Sequence, residues 1–265
     1  SYEMVQTEID NKPRNSSING FNTGLNFSYL LANDEIKYGA EINGFSTNFE
    51  TFNANNRRLS QEDNNTELGL YIRYKKVTPR WVIEPGFRLM FYASLPEFSP
   101  EPRLALKYKA SKNFRLKAAG GFYSQNLMAA VSDRDVVNLF YGFLASPENL
   151  PKSLNGNPVT SRLQKARHAV GGFEWDIIKN VEFGAEAYIK EFDQITNINR
   201  DKIFDDNEIN ASKPDFLKKD YVVESGRAYG FDFKLKYEYK KFYLWMVYSY
   251  TYITRNDGVR TYFPN

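Results

Sequence analysis

The stretch that most restricts how this chain can fold is Ser99–Gln125, SPEPRLALKYKASKNFRLKAAGGFYSQ, which alternates in chemistry residue by residue. On one side stand Pro102, Leu104, Leu106 and Tyr108, followed by Phe114, Leu116, Ala118, Gly120 and Phe122. The other side carries Arg103, Lys107, Lys109, Arg115 and Lys117. A period of two means extended strands, and Ser111-Lys112-Asn113 between them reads as a hairpin loop whose closing Asn takes a positive φ. Pairing Ala110 with Phe114 sets Tyr108 beside Leu116 and Leu106 beside Ala118, which merges the two apolar faces into one. On a soluble sandwich the basic face would be the wet outside; in a membrane barrel it would be the polar lumen, with the apolar face in lipid.

The same two-faced pattern repeats along the chain. Phe21 to Leu31 and Ile36 to Gly44 alternate around a turn at 32–35, after a polar segment at 10–19. A polar loop at 53–65 leads to Leu68–Tyr74 and, past Thr78-Pro79, to Trp81–Phe91, where Pro85 marks an interruption of the ladder. Ala169–Ile177 and Val181–Ile189 flank Ile178-Lys179-Asn180, and Tyr229–Tyr239 and Phe242–Tyr252 flank Lys240-Lys241. With Tyr2–Ile9 this makes about eleven strands. The long insertions between them run over 126–165 and 193–226. In the first, Ser132 with Asp135 resembles a capping box, and Val136, Phe140 and Leu144 at spacing four predict a helix. The residues after Arg255 read as a loop.

Composition bears on which solvent the apolar faces meet. Mean hydropathy is −0.57 and no apolar run approaches the roughly 20 residues of a spanning helix. Yet the 265 residues include 19 Tyr and 21 Phe. Rings cluster at both ends of the apolar faces: Tyr29, Tyr38, Tyr74, Trp81 and Trp175 near the short turns, and Phe21, Phe91, Phe122, Tyr229 and Tyr252 near the long loops. That is the pattern of two aromatic girdles at a membrane's interfaces. Short turns at one end and longer connections at the other match outer-membrane barrels too. A sheet in lipid must close on itself, so about eleven strands in an incomplete pattern imply half of a barrel of about 22 strands, the size of plugged transporters. The expected fold is thus all-β, an antiparallel transmembrane β-barrel, with residues 1–265 one partial barrel domain. Ser1 and the absence of a signal peptide suggest a piece of a longer, processed protein.

The order and spacing of four segments resemble the barrel of a TonB-dependent outer-membrane receptor: Ser99–Gln125, DVVNLFYGFLASPENLP at 135–151, VGGFEWDIIKNVEFGAEAYIKEF at 170–192, and AYGFDFKLKYEYKKFYLWMVYSYTYIT at 228–254. The resemblance implies an outer-membrane location, a plug domain inside the barrel, a segment that pairs with the TonB complex, and uptake of a scarce ligand captured by extracellular loops. The plug and the terminal aromatic strand of such barrels do not occur in these 265 residues. Glycan, siderophore and peptide remain open as ligands, as does a lid lipoprotein on the loops. Two alternatives stand beside this reading: a non-energised channel or secretion-complex barrel, and a soluble carbohydrate-binding β-protein.

Candidate site residues follow from the same pattern. The basic stripe of Arg103, Lys107, Lys109, Arg115 and Lys117 would face the lumen and meet acidic groups of a plug or steer an anionic solute. Phe140, Tyr141 and Phe143 would offer rings to a ligand from the first long loop. Asp201, Asp205, Asp206, Asn207 and Glu208 could supply oxygen ligands to Ca²⁺, although the glycine of an EF-type loop is missing; a solvated loop explains them as well. Glu174 with Glu186 is a carboxylate pair of the kind glycosidases use, but unremarkable on a charged barrel wall. His168, the only histidine, has no partner for metal or triad chemistry, and with no cysteine present thiol chemistry is excluded. No enzyme, cofactor or nucleic-acid partner is expected; the net charge is only +3 and its basic residues are dispersed.

Overall fold

The computed structural model describes residues 2–6, 14–53, 55–130, 142–258 and 261–263. Seven strands lead off: β1 (Tyr2–Gln6), β2 (Arg14–Leu31), β3 (Asp34–Phe52), β4 (Arg58–Val77), β5 (Trp81–Tyr92), β6 (Glu97–Lys109) and β7 (Phe114–Gln125). Four short ones follow: β8 (Met128–Ala130), β9 (Gly142–Leu144), β10 (Ser153–Leu154) and β11 (Asn157–Pro158). The wall resumes with β12 (Gln164–Ile178) and β13 (Val181–Ile198). After one helical turn, α1 (Asp215–Lys218), it ends with β14 (Tyr221–Tyr239), β15 (Phe242–Asn256) and β16 (Thr261–Tyr262). No helix among the described residues is long and apolar enough to cross a membrane.

Twelve of these strands form one antiparallel sheet in the order β1 to β7, then β12 to β16. The twelfth is the two-residue β16, which folds back on Arg255 and Asn256 where the sequence reads as loop. The β6–β7 hairpin has the expected register, Tyr108 against Leu116 and Leu106 against Ala118. Its loop differs: Asn113 does not enter the left-handed region, because the Ser111 hydroxyl accepts from the backbone N–H groups of Asn113 and Phe114 and stabilises the turn instead. Of the other turns, those after Leu31 and Ile178 are tighter than expected, the one before Phe242 is as expected, and the one at 78–80 is a residue longer. Ala32-Asn33, Lys179-Asn180 and Lys240-Lys241 each join strands with two residues, and Ala32, Asn180 and Lys240 take positive φ. At Pro85 the β4–β5 ladder lapses between the Arg73–Gly86 and Lys76–Ile83 pairs without slipping register.

The apolar faces point away from the rest of the molecule. Leu25 is 67% exposed, Leu70 57% and Trp175 45%, and a line of rings (Phe173, Phe183, Phe233, Tyr248) crosses β12 to β15 on that face. Toward the long-loop end the outward face turns abruptly polar, at the same level on neighbouring strands. Phe21 on β2 pairs with Gly44 on β3, and one row above, Asn19 pairs with Ser46; Ser46 in turn pairs with Asn64 on β4. Below that row the outward face of β2 is uncharged and, but for Thr23, apolar or aromatic from Phe21 to Leu31, about the eleven residues that a tilted spanning strand needs. The strands do not stop at the polar row. Residues 14–19 and 58–65, expected in polar loops, are strand, and β3 and β4 reach 19 and 20 residues. Backbone pairing continues past the hydrocarbon because cross-strand hydrogen bonds are indifferent to what the side chains face.

The buried side chains lie on the opposite, concave face at the long-loop end. Tyr221 on β14 donates its hydroxyl to Gln61 on β4 at 2.5 Å. In a flat sheet these strands, six spacings apart, would be about 29 Å from each other. The wall is therefore strongly curled around its charged side. Of the connection that follows β7, the described residues 126–130 and 142–146 fold into that hollow side, bringing Met128 and Leu144 against Phe49, Leu59 and Tyr221. The helix predicted from Ser132 lies mostly outside the described residues. Its last part, Gly142–Leu144, is strand paired with Met128–Ala130, because Leu144 gains a buried seat there that an exposed helix would not give it.

Candidate functional site

Two surfaces on the concave side carry chemistry. The first is the basic stripe. The antiparallel ladders set Lys109, Arg115 and Glu174 in one row across β6, β7 and β12, and Lys107, Lys117 and Gly172 in the next. Glu174 thus becomes the hub. Lys107 Nζ donates to it at 3.3 Å, Arg115 Nε at 3.0 Å, and Lys117 Nζ also donates to it. The two terminal nitrogens of Arg115 grip Asp176 at 2.6 and 2.8 Å, a bidentate fork. Arg103 pairs with Glu101 at 2.6 Å and lies 4.5 Å from the centre of the Tyr123 ring, which also stacks with His168. The stripe is therefore largely neutralised within the wall: Arg103 by Glu101 on its own strand, and Lys107, Arg115 and Lys117 by carboxylates that the sequence places some sixty residues away. Of its five members, Lys109 alone makes no ion pair among the described residues. Glu174, held by three cations, is not available as a glycosidase acid.

Beside this hub the wall dips into a hollow of about 310 Å³, floored by Ala105, Ala119, Val170 and Gly172 and rimmed by Glu84, Lys107, Lys117 and Glu186. Gly172 is obligatory there: a Cβ would lie 2.3 Å from the carbonyl oxygen of Ala185. The small residues that make the hollow gave no signal in the alternation pattern, since Ala and Gly belong to either face.

The second surface is the long-loop end. Phe140 and Tyr141 lie outside the described residues; Phe143 is half-buried, with its backbone N–H bonded to Ser16 Oγ at 2.8 Å. The connection from β13 to β14, residues 199–220, is tied to the β3–β4 tip by Asn53, whose side chain donates to the Lys202 carbonyl at 2.8 Å. Its acidic run is not a cation site. Asp206 binds Lys219 at 2.7 Å and Lys218 at 3.8 Å, Asp205 faces Arg57 at 3.6 Å, and Asn207 caps the short turn at 208–210. No group of three metal-ligating side chains forms among the described residues. The Lys219 hydrogen bond, reinforced by Lys218 and Lys202, holds the Asp206 carboxyl below its usual range, and burial pushes the Tyr221 hydroxyl up. The same loop shows two apolar side chains to solvent, Ile209 at 88% and Phe216 at 53%. A reading of it as merely polar and charged passes over them.

No family model matches this sequence, and no curated relative does. Solved structures do match. The copper transporter OprC is 14% identical with a TM-score of 0.57, over 91% of this chain and 38% of that one. The siderophore receptor PirA from Acinetobacter baumannii is 11% identical at 0.54, over 92% and 40%. The RagAB peptide importer is 9% identical at 0.51, over 92% and 30%. The chain thus spans less than half the length of each of these structures. At such identities the likeness is one of fold, and it is the fold expected from the alternation.

Proposed function

Taking as premise that this chain has the wall fold of TonB-dependent outer-membrane receptor barrels, we propose that it serves, within a longer outer-membrane protein, in energised uptake of a scarce ligand too large for general porins. The observation that carries this reading is the exposed apolar belt, eleven residues tall on β2 and bounded by an aligned polar row, on a wall curled around its charges. The belt speaks against a soluble carbohydrate-binding protein, which would have to cover it. The whole protein would pair the wall with a plug and the TonB complex, and a lid lipoprotein on the loops fits the same architecture. The names of the matched structures suggest copper, a siderophore or a peptide as ligand classes. Capture falls to the loop tips, where Ile209 and Phe216 are free to meet a ligand, with Phe140, Tyr141 and Phe143 as the candidates on the other long loop.

Uptake of copper, of ferric siderophores and of a peptide mixture by cells carrying the full-length protein tests this, with and without a protonophore. Uptake of one of them that the protonophore abolishes is the expected result. Protonophore-insensitive uptake would point to a passive channel, and recovery of the protein from the soluble fraction would refute both membrane readings. Within this proposal, Lys107 and Lys117 and the hollow beside them meet the plug. Reversing both charges should loosen plug retention, whereas the swap Lys117→Glu with Glu174→Lys, which rebuilds a local pair, should restore most of it.

A further inference from the structure

Around the β8–β9 pair, the connection between β7 and β12 packs as a core packs. Met128 and Leu144 are 4% and 1% exposed, set between Phe49 and Leu59 on one flank of the curled wall and Tyr221 on the other. Its polar groups are fastened as well: Gln61 donates to the Ala145 carbonyl at 2.7 Å, and Asn126 and Ser146 bond each other and Asn65, all three buried. Elements that open and close come from the low-stability end of a structure, with few buried apolar contacts. This one is the reverse, whereas the neighbouring connection at 199–220 leaves Ile209 almost wholly exposed.

We infer that the β8–β9 pair and the residues following it, through Ser146, are a fixed wedge. It permanently narrows the mouth on this side of the barrel, so the width a ligand meets there is set by the wedge and wall and not by a swinging flap. The inference rests on the transport reading for its meaning but not for its test, which makes no use of uptake. The chain has no cysteine, so single ones report cleanly if any in the rest of the protein are first replaced.

Leu144→Cys, Ala145→Cys and the exposed control Ile209→Cys are introduced into the full-length protein. Intact cells are then treated with a membrane-impermeant maleimide, with and without a protonophore. Ile209→Cys labels fast. Leu144→Cys and Ala145→Cys label roughly a hundredfold more slowly, the protection of a side chain that reacts only through local opening, and the protonophore changes neither rate. Labelling of either within a few-fold of the control, or a rate that falls when the membrane is de-energised, overturns the wedge. Ala145, fully buried but small, keeps the test alive if Leu144→Cys fails to fold. A passive channel would still show slow labelling, so failure of the transport reading is seen separately, in the uptake assay.

Discussion

At the scale of single residues, the wall is governed by which charges meet and which backbone conformations the turns demand. Neutralising the hub, Glu174→Gln, leaves Lys107 and Lys117 without their shared counter-charge while Arg115 keeps Asp176. We expect a loss of about 1–3 kcal/mol, visible as a lower urea midpoint of the folded barrel in detergent, with Asp176→Asn costing less. Ala32 sits at φ 51°, a conformation in which a Cβ is crowded. Ala32→Gly should therefore stabilise the first hairpin, by up to about 1 kcal/mol in the same urea titration. The alternation made the identity of each face legible, so the stripe itself could be read from Arg103 to Lys117. Its neutralisation could not: Glu174 and Asp176 reach it only through the β7–β12 pairing, which skips the whole inserted connection.

At the scale of elements, strand positions were legible wherever lipid imposed alternation, and illegible above it. Residues 58–65 carry no apolar periodicity because their outward positions face water, yet the ladder with β3 persists to Arg58. Cysteine scanning can locate this change of solvent. Asn48→Cys and Glu62→Cys, above the polar row, should react with a water-borne maleimide, while Ile42→Cys and Leu68→Cys, below it, should not. The 199–220 connection has its own signature. Because the folded Asp206 carboxyl titrates below its ordinary value of 3.8, its pairing with Lys219 contributes fully above that pH and is lost as the pH falls through the lowered value. The anisotropy of a dye on Ile209→Cys should hold steady from neutral pH down to 3.8 and drop only below it; in Asp206→Asn it should be low throughout.

At the scale of the molecule, the half-barrel is complete in its faces and open at its edges. β15 pairs with β14 along its length but with β16 only at Arg255 and Asn256, which leaves the outer backbone from Phe242 to Thr254 without a strand partner among the described residues. In hydrocarbon each such group costs several kcal/mol. Residues 1–265 expressed alone should consequently fail to insert as a heat-modifiable barrel into lipid vesicles, and should do so once the remaining strands are supplied. The curl was not readable from the sequence either, since the Gln61–Tyr221 bond joins positions 160 residues apart.

The strands that outrun the apolar belt have a further bearing on the shape of the rim. Residues 58–65 of β4 continue past the belt for roughly 20 Å of height, allowing for strand tilt. This palisade is not continuous: β5 stops at Tyr92, level with Glu67, and turns into β6 within four residues. The rim is thus tall over β2 to β4 and notched at β5–β6, which gives the wall a lopsided skyline.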